Sequence, residues 1–310
     1  MTGNQVSPKV PHQVGAAALE WLATNREHFR VRADGATAFE IRERFKPVGE
    51  LALISGVLLR EGVAGSRQAA QIAGLLDFAW QDVLEGGDLL SRMLRDEPLS
   101  PIPMEVYVPF RELGRHHPGI EAHMRVVART TSWRALESVP HRRLGLTRFA
   151  ARAELPVYAD LAGATRRTWL GQTPEPWTVE YNLAYAITHA VFHLTDWGRH
   201  PDHLPAELAD YLSLWLPVWI DEWATHRHWD LLGELLVVDA CLPEPALDDA
   251  VWRYFAAAQT QEGAMPVSDT MPTGSPDEVF DLVHHPTIVA AFAATMATSR
   301  ALASLSGPAA

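Results

Sequence analysis

The side chains best suited to chemistry in this sequence lie on one predicted helix, Val179 to Trp197. One narrow arc of its helical wheel collects the polar residues Asn182, Tyr185, His189, His193 and Asp196. The opposite arc is apolar, so the helix is amphipathic. Solvated helix faces usually carry lysine, glutamate and arginine, whereas this arc carries amide, phenol, imidazole and carboxylate. The pattern therefore favours a polar internal cavity over a surface exposed to water.

Two chemistries fit this arc. His189 and His193 are four residues apart, a spacing at which two imidazoles can bind one metal ion. Asp196 would complete a site of two histidines and one carboxylate, a set typical of non-haem iron. It would equally orient His193 through a hydrogen bond. A metal-free acid–base pocket that uses Tyr185, His189 and His193 fits the same spacing, and so do histidines with a purely structural role.

Composition limits the class of protein. The chain has 310 residues, 47% of them hydrophobic, and a formal net charge of −12. We expect one domain over residues 15–306, preceded by a flexible tail over residues 1–14. The acidic surface disfavours nucleic acid and anionic membranes as partners. Cys241 is the single cysteine, the first residues lack a signal-peptide pattern, and the apolar runs are short, so we expect a cytoplasmic protein.

Helical periodicity dominates the rest of the chain, which predicts an all-α fold. Helix pairs recur at roughly 40 to 50 residues, the spacing of α/α repeats. We expect one helix to begin after Pro47 and the last helix to begin at Pro286. The segment Thr260 to His285 is rich in glycine and proline, which predicts either a lid over a site or a surface excursion. No phosphate-binding loop or dinucleotide fingerprint occurs, so no nucleotide cofactor is expected.

The stretch Trp252 to Pro266 has the pattern of an aromatic pair, three small residues, Gln259, three residues and Gly263. It resembles the aromatic–Gln–Gly repeat of the α/α-toroid superfamily, which includes squalene–hopene cyclases and protein prenyltransferase β subunits. The glutamine can satisfy backbone groups at a helix end, and the glycine permits the tight turn that follows. This resemblance implies a ring of paired helices around a central cavity.

A second similarity concerns metal ligands. Prenyltransferase β subunits bind zinc with an Asp-x-Cys pair and a later histidine, and here Asp239 and Cys241 precede the repeat while His285 follows it. The resemblance implies a zinc site of Asp239, Cys241 and His285, an alternative to the His189, His193 and Asp196 set. The Asp-x-Asp-Asp motif of the cyclases is absent. The resemblance therefore carries the fold further than the activity.

The whole chain also resembles an uncharacterised helical family of actinomycetes that is associated with natural-product biosynthesis. The combined expectation is an enzyme of specialised metabolism with a His-lined central pocket. It would act on a small, largely apolar substrate by metal-assisted or acid–base chemistry, with zinc or iron as the metal. The catalytic residues would be Tyr185, His189, His193 and His285. The alternative is a non-catalytic toroid that binds a small molecule or a partner protein, and the sequence leaves the oligomeric state open.

Overall fold

A computed structural model of the chain describes residues 6–30 and 38–306, with side chains described at residues 6–30 and 45–305. All the regular elements within these ranges are helices, as expected, and no β-strand occurs in them. The first seven α-helices are α1 (Lys9–Thr24), α2 (Ala38–Glu61), α3 (Ser66–Phe78), α4 (Asp88–Asp96), α5 (Ile102–Glu112), α6 (Pro118–Val127) and α7 (Thr131–Arg134).

The second half of the chain contains the helices that carry most of the polar interior. They are α8 (Pro140–Arg152), α9 (Leu161–Arg166), α10 (Tyr181–Leu194), α11 (Ala206–Thr225), α12 (Trp229–Cys241), α13 (Asp249–Ala258) and α14 (Pro276–Ser306). A short 3₁₀ turn at Pro201–His203 connects α10 to α11.

Six helices pack in a closed circuit. Helix α2 packs against α5, α5 against α8, α8 against α10, α10 against α12, α12 against α14, and α14 packs against α2. Helix α1 packs against α3, α13 and α14, and α11 packs against α12 and α13. Every residue of α12 is buried, including its acidic ones, so this helix lies in the middle of the hydrophobic core.

The last helix is unusually long and apolar. The segment Pro276–Leu305 is the one helix within the described ranges that could cross a membrane by length and composition, and 67% of its most apolar stretch is buried inside the fold. A core helix of a folded domain has the same properties. The segment is therefore weak evidence for a membrane span.

Three expectations about helix ends differ from the structure. Helix α1 begins at Lys9 and buries Val14, so residues 9–14 are helical, whereas the sequence predicts a tail there. Residues 1–5 of that tail lie outside the described ranges. Pro47 and Pro286 lie inside α2 and α14 and do not begin them. A proline removes one backbone donor, but packing on both sides can carry a helix past it.

The aromatic–Gln–Gly stretch forms a tight turn, and Gln259 bonds to backbone groups as expected, although neither acceptor lies at a helix end. The Gln259 amide donates from Nε2 to the carbonyl of Val14 at 3.1 Å and to that of Gly263 at 2.9 Å. Gly263 has a φ of +99°, and a Cβ there would lie 2.1 Å from the carbonyl oxygen of Ala17. The turn after α13 therefore packs directly on α1, and only glycine permits that approach.

Candidate functional site

The centre of the polar interior is the imidazole of His285 on α14. Its Nδ1 lies 3.0 Å from Oε2 of Glu50 on α2. Its Nε2 lies 3.6 Å from Oδ1 of Asp230 and 3.6 Å from Oε1 of Glu234, both on α12. One imidazole thus faces three carboxyl groups from two other helices. We call these four residues, together with Tyr185, Thr188 and His189, the His285 cluster.

Helix α10 supplies the hydrogen bonds that hold the two acids of α12. The Tyr185 hydroxyl donates to Oδ2 of Asp230, and the Thr188 hydroxyl donates to Oε2 of Glu234. The side chains of Asp230 and Glu234 are only 8% and 3% exposed. Oδ1 of Asp230 is buried and has no hydrogen-bond partner. Each acid therefore has one oxygen fixed by α10 and one oxygen directed toward His285.

His189 is the most accessible histidine of the cluster, with 37% of its side chain exposed. Its Nδ1 lies 2.7 Å from the backbone carbonyl oxygen of Tyr185 and 3.7 Å from Oε2 of Glu234. A carbonyl oxygen only accepts, so Nδ1 must carry the proton that is donated to it. In the neutral form of the ring this leaves the lone pair on Nε2, the arrangement of a general base.

Opposite charges meet at Glu50 and His285. Burial alone would raise the pKa of Glu50, but the charge of His285 and its hydrogen bond lower that pKa to about 2. Burial alone would lower the pKa of His285, but Glu50, Asp230 and Glu234 raise it well above its ordinary value. His285 is therefore an imidazolium at neutral pH, held between carboxyl groups.

The pKa values of the two acids of α12 are shifted in opposite directions. Burial raises the pKa of Asp230, and His285 offsets only part of that effect. Burial acts on Glu234 in the same direction, but His189 and His285 lower the pKa of Glu234 overall. Two carboxyl groups that lie one helical turn apart thus have proton affinities shifted in opposite directions. Such a pair is a common basis for an acid and a base in one site.

Helices α5 and α8 place further titratable groups beside His189. The ring of His141 lies 6.0 Å from the ring of His189, centroid to centroid. Burial, and then the charge of His189, lower the pKa of His141 to about 4, so His141 is neutral. Burial raises the pKa of Glu105, whose carboxylate pairs with Arg142 at 3.0 Å. All six helices of the closed circuit thus contribute a polar side chain to this region.

Comparison with known proteins identifies the family of this chain. A family model described as a domain of unknown function, DUF6895, matches residues 15–295. The chain belongs to this family. The matched residues of this DUF6895 protein include the whole His285 cluster, from Glu50 to His285. No curated protein and no solved structure matches the chain.

The first predicted metal set of the DUF6895 protein is not brought together. The ring of His193 is buried against Gly145 and Phe149, its Nδ1 has no hydrogen-bond partner, and burial lowers its pKa well below the ordinary value. Helix α10 ends at Leu194, and Asp196 follows with a φ of +50°. This left-handed residue leaves the helical arc, and its carboxylate lies 4.0 Å from Arg152 and 4.0 Å from Arg199.

The second predicted set is also dispersed. The Asp239 carboxylate accepts hydrogen bonds from the backbone N–H groups of Ala246 and Leu247, both at 2.9 Å. The Cys241 thiol is fully buried, and burial raises its pKa to about 12. Over the residues with described side chains, one group of three potential ligands has its ligand atoms within 4.8 Å of one another, and it contains none of the predicted residues.

The position of Asp239 predicts a structural effect. Replacing Asp239 by alanine would leave the two N–H groups of the loop after α12 without their acceptor. We expect a loss of about 3 kcal/mol in the free energy of unfolding, measured by urea denaturation. The exposed Glu244→Ala change in the same loop is the control and should cost little. An Asp239→Ala protein as stable as wild type would contradict this role.

Four acidic groups in this region were not predicted from the sequence. Asp230 and Glu234 had a visible signal, because acids four residues apart interrupt a helix that, apart from Asp239, is otherwise apolar on all sides. The sequence carries no such signal for Glu50 or Glu105, since each lies in a helix that also carries ordinary charged residues. Their approach to His285 and to His189 depends on packing between helices distant in the sequence.

Proposed function

We propose that this protein is an enzyme that transfers protons to and from a small molecule bound at the His285 cluster. One observation carries the proposal: Asp230 and Glu234 flank Nε2 of His285, and their pKa values are shifted in opposite directions. A buried pair of this kind is costly to the fold unless it serves chemistry or is fully paired. Oδ1 of Asp230 has no hydrogen-bond partner, although Nε2 of His285 lies 3.6 Å away.

The roles of the two acids follow from the direction in which each pKa is shifted. Glu234, with its lowered pKa, is the carboxylate that accepts a proton from the substrate. Asp230, with its raised pKa, is the acid, and its Oδ1, which has no hydrogen-bond partner, is the oxygen that would donate the proton. His285 stays positively charged and stabilises the negative charge of Glu234 and Glu50. Nε2 of His189 is a second acceptor, closer to solvent, through which a proton can leave.

The proposed architecture is an α/α toroid, with α2, α5, α8, α10, α12 and α14 as its inner ring. The closed circuit of helix contacts supports it, and so does the presence of polar side chains from all six helices beside His189 and His285. The aromatic–Gln–Gly turn at Gln259 supports the same relationship. The substrate would be small and largely apolar, because aromatic rings adjoin the cluster. Phe192 packs on His189, and Trp197 and Phe292 pack on Phe192. A place in specialised metabolism and a cytoplasmic location belong to the same proposal.

The function can be tested before the substrate is identified. Purified protein is incubated with a small-molecule extract of the cells that produce it, and mass spectrometry records which compounds disappear or form. Wild type should convert at least one compound, whereas Glu234→Gln and His189→Asn should not. Equal conversion by wild type and both variants would contradict the proposal. A compound that binds to wild type unchanged would instead indicate the non-catalytic alternative.

The ion pair of Glu50 and His285 predicts a pH dependence of stability. The lowered pKa of Glu50 stabilises the fold above its unfolded value of about 4.5 and loses that effect as pH falls toward 2. The raised pKa of His285 stabilises the fold below its unfolded value of about 6.5 and loses that effect as pH rises through the folded value. Wild type should therefore exceed Glu50→Gln in stability most between about pH 4.5 and 6.5. Urea unfolding of both proteins across this range is the measurement, and a constant difference at every pH would contradict the pairing.

A further inference from the structure

A group of potential metal ligands lies outside the His285 cluster, on the loop that follows α10. His200, Asp202 and His203 each offer one ligand atom, and the three atoms all lie within 4.8 Å of one another. The rings of the two histidines are stacked, with centroids 4.5 Å apart and an interplanar angle of 18°. Asp202 and His203 are exposed and His200 is half-buried, so a metal ion from solvent can reach all three.

The base of this loop is rigidly held. The N–H of His200 donates to the carbonyl of Thr195 at 2.8 Å, and the N–H of His203 donates to the carbonyl of His200 at 3.0 Å. The N–H of Gly198 donates to Oγ1 of the buried Thr195 at 3.1 Å. Arg60 of α2 donates to the carbonyl of Trp197 at 2.7 Å.

Gly198 shows how closely the loop is packed on the core. Its φ is +76°, and a Cβ at this position would lie 2.3 Å from Cε of Met296 and 3.1 Å from Sγ of Cys241. Helices α12 and α14 thus support the loop from beneath, while its ligand side chains face outward. Because the backbone is fixed, only the side chains of the ligands lose further freedom when an ion binds.

The three side chains define the class of ion. Two imidazoles and one carboxylate favour zinc and its neighbours nickel and copper, whereas magnesium and calcium prefer sites made of oxygen. Ligand atoms around a tetrahedral ion with bonds of about 2.1 Å stand about 3.4 Å apart. Rotation of the exposed side chains would bring the three atoms to that spacing. The formal net charge of −12 favours a divalent cation at this surface.

We propose that His200, Asp202 and His203 form a zinc-class metal site, separate from the His285 cluster. The bound ion would tie the 3₁₀ turn Pro201–His203 to His200, whose N–H donates to the carbonyl of Thr195 just after α10. Three protein ligands leave a fourth position of the ion for water. The site is independent of the proposed proton transfer, because none of its ligands contacts the His285 cluster.

The test is titration of the tag-free full chain with zinc chloride by isothermal calorimetry. We expect one ion per chain with a micromolar Kd, and a rise in Tm when zinc is added. The double variant His200→Ala/His203→Ala should weaken binding by at least tenfold, since even outer partners of a ligand contribute about 10- to 100-fold. Asp202→Asn should weaken binding by a smaller factor and leave the folded state intact.

Two controls make the result specific. The variant His116→Ala/His226→Ala removes two exposed imidazoles elsewhere and should bind zinc as wild type does. Glu234→Gln alters the His285 cluster and should also leave zinc binding unchanged. Zinc binding that survives the His200→Ala/His203→Ala change, or that disappears in Glu234→Gln instead, would overturn the site. So would a wild-type protein that binds no zinc at millimolar concentration.

Discussion

Replacing Glu234 by glutamine is expected to slow conversion of the substrate by about 10²- to 10⁴-fold. Glutamine has nearly the same shape, and its amide oxygen can still accept the hydrogen bond from Thr188. The change therefore removes the proton-accepting carboxylate while keeping the packing of α12 against α10. The measurement is the rate of substrate consumption under saturating conditions, compared with wild type at the same pH.

The control for this prediction is Glu244→Gln, the same chemical change at an exposed glutamate in the loop after α12. It should leave the rate unchanged. Circular dichroism and urea unfolding of both variants separate a lost proton acceptor from a lost fold. A Glu234→Gln protein that is folded and fully active would contradict the role of Glu234 as the base.

The largest expected effect on stability is that of Gly263→Ala, which should lower the free energy of unfolding by at least about 3 kcal/mol. The φ of +99° is unfavourable for alanine, and the new Cβ would lie 2.1 Å from the carbonyl oxygen of Ala17. Backbone atoms cannot rotate away as a side chain can, so the turn must separate from α1. This separation would also break the hydrogen bond of Gln259 to Val14.

Gly74→Ala is the matched control, because Gly74 lies inside α3 and a Cβ there would meet no atom within 4 Å. We expect it to stabilise the protein by up to about 1 kcal/mol, the helix preference of alanine over glycine. Urea unfolding of both variants gives the comparison. If the two glycine changes had the same effect, the close approach of the Gly263 turn to α1 would be contradicted.

The fold class and the importance of α10 could be predicted from the sequence because both depend on local periodicity. Tyr185 and His189 lie on the polar arc, and the structure places both in the His285 cluster. The arc could not show that His193 would be enclosed by Phe149 and Gly145, since those residues belong to α8. It also could not show that the backbone turns left-handed at Asp196.

The start of the last helix is marked by a capping box, whereas Pro286 predicts a later start. Ser275 and Glu278 form a capping box, in which Ser275 N–H donates to Glu278 at 2.8 Å and Glu278 N–H donates to the Ser275 hydroxyl oxygen at 3.4 Å. Pro276 then occupies the first helical position. The loop predicted as a lid is therefore shorter than expected. His285 lies inside the helix and not at its start. That interior position is what allows it to reach α2 and α12 at once.

The partners of His285 were beyond sequence reasoning for a different reason. Glu50 lies 235 residues before His285, and no local pattern joins them. The shift in the pKa of His285 results from three carboxyl groups that meet only when α2, α12 and α14 pack together. A sequence shows which groups can titrate, whereas the direction of each shift depends on this packing.

The most direct test of the charged cluster is nitrogen NMR of the histidine rings, with His285 and His189 assigned through the variants His285→Asn and His189→Asn. At pH 7 we expect both ring nitrogens of His285 to carry protons in wild type. We also expect the pKa of His285 to fall in Glu50→Gln, because the nearest negative charge is gone. A neutral His285 at pH 7, with no response to Glu50→Gln, would contradict the charged cluster on which the proposed proton transfer rests.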